Sequence, residues 1–410
     1  MTHKIAIVGA GPSGCYLAQA LLKARADLGV DLIDVLPVPY GLVRYGVAAD
    51  HQGSKAVTRQ FARIFERQGA RFFGNVHVGR DVTRDELRSA YDVVVFATGL
   101  AADRRLGIAN DAAPGVVGAG AITRALNGHP DAGPLPDLGA RPLIVGNGNV
   151  AVDIVRLLGK LPDELTGSDL GPEQTRWLAE SGIEAITVLG RSPAAQAKFD
   201  PVMIKELGKL AGVAITVDNA GTADDEHGQK LLDALAAIDG DGTAARTIRF
   251  VFSHVPLAVE TQGGRVTGLR CRTVQGDEIV VGCTSIVTAI GFEDIGDLPR
   301  ADILAQADSA APVYAAGWFR RGPRGTIPDN RADAQVLAAD ILADLDGVSA
   351  GPERPGGTLF EGPRDVVDYP GWLRIERREL AGADAARCRV KICDRAAMIE
   401  AACHAEETSS

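Results

Sequence analysis

Short, mainly apolar runs recur along the chain, each closed by small residues, with stretches between them whose apolar positions repeat at helical spacing. The first run, Lys4-Ile5-Ala6-Ile7-Val8, passes into Gly9-Ala10-Gly11-Pro12-Ser13-Gly14 and then into a helix-spaced segment at residues 15–22. The run Arg141-Pro142-Leu143-Ile144-Val145 repeats that order: Gly146-Asn147-Gly148-Asn149-Val150-Ala151 follows, then a helix-spaced segment at 152–158. Residues 92–99 and 285–291 are two further apolar runs that end in small-residue turns. Uninterrupted apolar runs of this kind read as central strands buried on both faces, whereas a half-exposed strand alternates. Residues 332–345 carry the stripe of an amphipathic helix, and the Gly- and Pro-rich stretches at 128–134 and 351–357 read as loops or linkers. The polar end, residues 405–410, reads as a frayed tail.

The order strand, glycine loop, helix gives each glycine of Gly9-x-Gly11-x-x-Gly14 a task. Gly9 permits the sharp turn out of the strand, Gly11 lets a pyrophosphate approach the backbone, and Gly14 lets the helix close on the strand. The helix start then offers N–H groups and the positive end of its dipole to the phosphates. A second strand at 31–35 brings Asp34 to the place where an acid accepts from ribose hydroxyls. The mid-chain copy, Gly146-x-Gly148-x-x-Ala151, has alanine at the packing position, which that role tolerates. Two fingerprints imply two dinucleotides. After the strand at 185–189 comes Gly190-Arg191-Ser192, where an acid would select NAD and where Arg191 instead accommodates the 2′-phosphate of NADP. The pattern predicts an α/β chain with two Rossmann-like dinucleotide-binding domains. Crossings at the turns that close 92–99 and 285–291 insert one domain into the other: 1–102 and 292–410 form the first, 103–291 the second.

Composition narrows the classes. A chain of 410 residues has core enough for two or three domains and needs no disulfide or metal to fold. Its 48 glycines exceed the usual ~7% without any Gly-X-Y period, which points to tight turns and close backbone approaches. With 53 acidic and 43 basic residues the net charge is −10, against nucleic acid as a main partner, because phosphate binding depends on a basic footprint. No stretch approaches the ~20 apolar residues of a membrane span, and the N-terminus runs into a strand without a signal-peptide cleavage site. The six cysteines form no CxxC pair, so a reduced, cytoplasmic chain is expected, as a monomer or weak dimer.

Longer motifs add a family. Tyr40-Gly41-Leu42-Val43-Arg44-Tyr45-Gly46-Val47-Ala48-Ala49-Asp50-His51 and Gly317-Trp318-Phe319-Arg320-Arg321-Gly322-Pro323-Arg324-Gly325-Thr326-Ile327 resemble signatures of the adrenodoxin reductase type of ferredoxin–NADP reductase, in the glutathione reductase superfamily. Gly74-Asn75-Val76-His77-Val78-Gly79, the Gly-Asn-Val-Ala-x-Asp run ending at Asp153, and Val367-Asp368-Tyr369-Pro370-Gly371-Trp372 extend the resemblance over nearly the whole chain. It implies an NADP domain inserted into an FAD domain, hydride transfer from NADPH to the flavin, and single electrons passed to a ferredoxin or similar iron–sulfur protein feeding a P450, an oxygenase or an iron–sulfur pathway. It implies FAD contacts from Gly9, Ser13, Asp34, Leu42 and Val78, with Trp318 and the backbone of Gly325, Thr326 and Ile327. For NADPH it implies Asn147, Gly148, Asn149, Val150, Arg191 and Glu206, with Ser192 beside Arg191 and Gly325 near the nicotinamide. Gly325 opens a helix whose N–H groups suit the electron-rich edge of a reduced isoalloxazine. His51 matches a histidine near the flavin which, with an acid matching Asp153, supports proton balance or acceptor coupling.

Two places depart from the family pattern. Ser192 stands where most members carry a second arginine; each charged hydrogen bond contributes roughly 1.5–3 kcal/mol, so 2′-phosphate recognition weakens and NADH use becomes possible. Lys198 compensates in part if its loop folds back. Acids at 224–226, 239 and 241 occupy the region where members often carry a basic helix, and they repel an acidic partner. Lys23, Arg25, Arg246, Arg249, Arg320, Arg321 and Arg324 remain as basic residues for a rim around the flavin. Disulfide reduction, a competing activity, needs two thiols beside the flavin, whereas Cys15 stands alone after the first glycine loop. An NAD(P)H-dependent flavoprotein reductase or oxidase with another acceptor, and a nucleotide-binding redox sensor, keep both folds and differ in what the flavin does next.

Overall fold

The apolar run before each glycine loop becomes an inner strand of a parallel sheet. The computed structural model describes residues 2–241, 243–294, 300–305, 311–346, 353–361 and 365–403. Among them the chain divides into two compact units: Met1–Ala102 with Asn127–Asp131 and Phe292–Ser410, and Asp103–Leu126 with Ala132–Gly291. Asn127–Asp131, within the 103–291 span expected for the inserted domain, goes with the first unit. That short segment belongs to the first unit because Lys55 Nζ donates to Asn127 Oδ1 at 2.8 Å, the His129 ring packs on Tyr45 at 4.8 Å, and Arg395 pairs with Asp131 at 2.6 Å. Its Gly-Pro composition signals a loop and carries no sign of where the loop docks.

In the first unit the parallel sheet runs Val313–Ala315, Val93–Phe96, Lys4–Val8, Gly29–Ile33, Arg71–Phe73. Strand order reverses between Lys4–Val8 and Val93–Phe96, which opens a crevice at their carboxyl ends. Ile5 and Ile7 face one core layer with Leu17, Leu21, Leu337 and Ile341, while Ala6 and Val8 face another with Val76, Phe319 and Phe360. This two-sided burial explains the unbroken apolar run. The helix Pro12–Ala24 packs on Ile327–Asp346, which starts ahead of the 332–345 stripe because Pro328 is accommodated in a first turn. Tyr369–Ala381 and Arg395–Cys403 pack together near the chain's end.

The second unit has a parallel sheet in the order Val116–Gly118, Ser285–Thr288, Pro142–Val145, Ala185–Leu189, Arg246–Val251, Val213–Asp218. The order reverses beside Pro142–Val145, the strand that feeds the second glycine loop. An antiparallel sheet of Val255–Gln262, Arg265–Arg272 and Glu278–Gly282 adds Val259, Leu269 and Cys271 to the core around Leu143, Val145 and Ile286. The two Rossmann-like units, one inserted into the other, are the α/β fold that the strand and loop order predicts. Among the described residues no helix is long and apolar enough to cross a membrane. The tail at 405–410 and Gly351 and Pro352 of the Pro-rich linker lie outside the described residues.

Candidate dinucleotide sites

Gly9 leaves its strand at φ +109°, and a Cβ there would stand 2.7 Å from the carbonyl carbon of Ala97 on the neighbouring strand's end. A Cβ on Gly14 would collide with the Gly9 carbonyl, so its absence lets the helix Pro12–Ala24 close on the strand. Gly11 is different. Its φ of −76° suits any residue, and the nearest protein atom to a Cβ there is Cα of Gly41, 3.9 Å away. Packing does not demand a glycine at that position, so the bare backbone is left for a ligand at the helix N-terminus.

Asp34 follows the strand Gly29–Ile33, which begins and ends two places earlier than the 31–35 run predicts. It is buried; Oδ2 accepts from the N–H of Ala10 at 2.7 Å and Oδ1 from that of Leu36 at 2.9 Å. Burial pushes its carboxyl up to about 6, against the pull of those two N–H groups and of the Arg395 charge. The carboxylate therefore fastens the first glycine loop to the second strand, and its remaining lone pairs are what a ribose can use.

Other expected FAD residues divide into two groups. Ser13 Oγ donates to Asn330 Oδ1 at 3.0 Å, and Gly317 must be glycine because it has φ +58° and a Cβ there would meet Ser13. Leu42 is exposed on the helix Gly41–Tyr45, whereas Val78 is buried in the core beneath the sheet. Trp318 stacks on Phe292 with ring centroids 5.7 Å apart, and its buried indole Nε1 has no hydrogen-bond partner among the described residues. Gly325 has φ +87°. Thr326, whose N–H the family resemblance turns toward the flavin, donates it to Asp329 Oδ2 at 2.6 Å, and that bond with one from its hydroxyl holds the Asp329 carboxyl below the usual range. Ile327 then opens the helix, and Pro328 offers no N–H. His51 precedes the short helix Gln52–Lys55, its carbonyl accepting from Ser54 and Lys55. Cys15 is a buried free thiol held well above its ordinary range by burial and by Asp34, so it is unreactive as a thiolate.

The second unit repeats the cradle. Gly146 has φ +127°, and a Cβ there would stand 2.7 Å from the carbonyl carbon of Ala289. A Cβ on Gly148, at φ −102°, would meet no atom of the described residues nearer than Cβ of Lys198 at 4.0 Å. Asn147 Nδ2 is buried and has no hydrogen-bond partner among the described residues. Asn149 and Val150 open the helix Asn149–Gly159, with Asn149 Oδ1 accepting from the N–H of Asp200 at 2.7 Å. Arg191 is exposed, and the Ser192 carbonyl accepts from Ser253 N–H at 3.2 Å. Asp153 and Glu206 share a partner that sequence reasoning missed: Arg156, 3% exposed, stands 3.1 Å from Asp153 Oδ1 and 3.6 Å from Glu206 Oε2. Its place three residues after Asp153 on a helix was the available signal.

Bare second glycines and orphaned buried N–H groups in each unit fit two bound dinucleotides. No group of three or more His, Cys, Asp or Glu among the described residues could hold a metal ion. Much of the expected basic rim is already matched by acids: Arg25 pairs with Asp346 at 2.8 Å, Arg249 with Asp218 at 2.5 Å, and Arg320 and Arg321 with Asp333. Acids expected to repel a partner also have local tasks, Asp225 capping the helix Glu226–Ala236 through Gly228 N–H at 2.6 Å and Asp239 accepting from Val217 N–H at 2.9 Å.

Residues 3–252 match the model of the pyridine nucleotide-disulphide oxidoreductases. The chain is 41% identical to the cindoxin reductase of Citrobacter braakii over 97% of its own length and 90% of that protein. To the mitochondrial NADPH:adrenodoxin oxidoreductase of Arabidopsis thaliana it is 31% identical, over 92% of this chain and 90% of that one. Its fold superposes on Mycobacterium tuberculosis FprA in complex with NADPH with a TM-score of 0.89 at 28% identity, covering 98% of this chain and 100% of the other. Two nested dinucleotide units matched end to end by such relatives leave one assignment: the chain belongs to the pyridine nucleotide-disulphide oxidoreductase family, in its branch of adrenodoxin-type ferredoxin–NADP reductases.

Proposed function

We propose that this chain is an FAD-dependent NADPH:ferredoxin oxidoreductase. The observation that carries this reading is the pair of bare glycines, Gly11 and Gly148, each opening a helix in a chain that matches an NADPH:adrenodoxin oxidoreductase over nearly its full length. Residues 1–102 and 292–410 form the FAD domain and 103–291 the NADP domain, with Asn127–Asp131 joining the former. Bound FAD would supply an acceptor for the hydride of NADPH and a donor of single electrons. The chain's own residues bind and orient. Gly9, Gly11, Ser13, Gly14 and Asp34 hold one pyrophosphate and ribose, with Leu42, Val78, Trp318, Gly325, Thr326 and Ile327 around the ring. Gly146 to Val150, Arg191, Ser192 and Glu206 hold the other nucleotide. His51 and Asp153 serve proton balance, Asp153 with its carboxylate anchored by Arg156.

The acceptor is a ferredoxin or similar small iron–sulfur carrier. Lys23, Arg246 and Arg324 form no ion pair among the described residues and are the rim charges left to meet an acidic partner, Arg246 donating only to the Lys160 carbonyl at 3.4 Å. A reducing compartment such as the cytoplasm suits the buried free thiols Cys15, Cys271 and Cys283. Anaerobic mixing tests the whole reading: NADPH bleaches the flavin, and a ferredoxin accelerates its reoxidation. A flavin that neither NADPH nor NADH bleaches overturns the reductase, and reoxidation that no ferredoxin accelerates overturns the acceptor.

A further inference from the structure

The segment after the second nucleotide strand does fold back, and it does so onto the second glycine loop. The N–H of Lys198 donates to the carbonyl of Asn147 at 3.0 Å, Gly148 and Lys198 form an isolated parallel bridge, and the N–H of Asp200 donates to Asn149 Oδ1 at 2.7 Å. These bonds lay residues 198–200 alongside Gly148. The protein atom nearest to a Cβ on Gly148 is Cβ of Lys198, 4.0 Å away, so the lysine's stem starts beside the bare backbone where the pyrophosphate approaches. Its side chain is exposed and forms no ion pair among the described residues. The one acid on the same segment, Asp200, is engaged elsewhere: its Oδ1 accepts from Val202 N–H at 2.8 Å and caps the helix Pro201–Leu207.

We propose that Lys198 is a ligand of the nicotinamide dinucleotide's pyrophosphate, resting on the reading of residues 103–291 as the NADP domain. A lysine is a compact point charge on a flexible stem, which suits a pyrophosphate that carries charge on several oxygens. The 2′-phosphate belongs at the end of the second strand, next to Arg191, whereas Lys198 is tied to the loop after the first. The two cations therefore have separate tasks. Lys198 supplies affinity that NADPH and NADH share, and Arg191 alone distinguishes them. The charge missing at Ser192 is restored at a different phosphate, which recovers binding without recovering selectivity.

Calorimetric titration of the FAD-loaded protein with NADP+, NAD+ and 2′-AMP tests this assignment. Lys198→Ala raises the dissociation constants of NADP+ and NAD+ by the same factor, roughly tenfold or more for a charged hydrogen bond, and leaves that of 2′-AMP, which has no pyrophosphate, unchanged. Lys198→Arg restores most of the affinity. Arg191→Ala weakens NADP+ and 2′-AMP and spares NAD+. A Lys198→Ala protein that loses NADP+ alone assigns the lysine to the 2′-phosphate, and one that loses neither nucleotide makes it a solvated surface charge; both overturn the proposal. Wild-type protein that binds neither NADP+ nor NAD+ overturns the NADP-domain reading, and this inference with it.

Discussion

A Cβ placed on Gly146 would stand 2.7 Å from the carbonyl carbon of Ala289, the same distance that separates a Cβ on Gly9 from the carbonyl carbon of Ala97. In both units the first glycine of the fingerprint lies against the end of the strand across the switch point. Gly146→Ala puts a methyl into backbone that cannot yield without moving the strand Ser285–Thr288, at a φ of +127° that alanine avoids. We expect a loss of about 3 kcal/mol, from strain and overpacking together, and a melting transition lowered by several degrees. Thermal unfolding of the apoprotein checks this; an unchanged transition would show that the loop is free to move.

The second glycines should behave in the opposite way. Gly11→Ala and Gly148→Ala meet no protein atom closer than 3.9 and 4.0 Å and sit at ordinary φ values. Their apoproteins should melt within about 1 kcal/mol of wild type, the amount by which alanine is a poorer helix N-cap than glycine. Binding is where the cost falls: each methyl occupies a phosphate's approach, and the affinity for FAD (Gly11→Ala) or NADP+ (Gly148→Ala) should drop more than tenfold. Equal stability with equal affinity removes the ligand-based reason for these glycines.

Arg44 and Glu379 form an ion pair at 2.5 Å that is nearly sealed from water, with side chains 4% and 0% exposed. Glu379 Oε1 also accepts from Ile392 N–H at 2.9 Å, and Arg44 lies over the Tyr45 and Trp372 rings at 5.0 and 5.2 Å. The carboxylate raises the guanidinium pKa further above its ordinary value. Glu379→Ala should cost about 3–5 kcal/mol by leaving a buried cation without its counter-charge, whereas Arg44→Met with Glu379→Leu should recover most of that. Chemical denaturation of the three proteins checks the order; a double variant as weak as the single one means that the ring contacts, not the charge, hold this corner.

How far these relationships could be read beforehand depends on their range. The strand, loop and helix at residues 4–24 and 142–159 are legible because glycine, apolar and helical periodicities follow one another within a few residues. Asn127–Asp131 is not, because its partners Lys55 and Arg395 lie far along the chain and its own residues say only that it turns. Arg156 escapes for a related reason. A basic residue on a helix reads as solvated surface until the fold buries it between Asp153 and Glu206. Thr326 is legible in part: the motif names its backbone, and only the fold shows that Asp329 accepts its N–H. Lys198 was visible only as a condition on where its loop goes.

Asp34 gives the fold a dependence on pH. Its carboxyl titrates near 6 in the folded apoprotein and near 3.8 unfolded, so between those values the folded state holds the extra proton. Stability contributed by that proton is present below pH 4 and is lost as pH rises through 6, by about 3 kcal/mol in all. FAD binding runs the other way, because a ribose hydroxyl donates to the ionised carboxylate. FAD affinity should therefore fall by up to about tenfold for each pH unit below 6 and level off above 7. Asp34→Asn should flatten both profiles, at a cost of about 1–3 kcal/mol, since an amide oxygen cannot accept from Ala10 and Leu36 as two carboxylate oxygens do. Urea unfolding of apoprotein and quenching of FAD fluorescence, each from pH 5 to 8, read the two slopes separately. If wild type and Asp34→Asn share one FAD profile, the carboxylate does no more than fasten the glycine loop and the ribose finds its acceptor elsewhere.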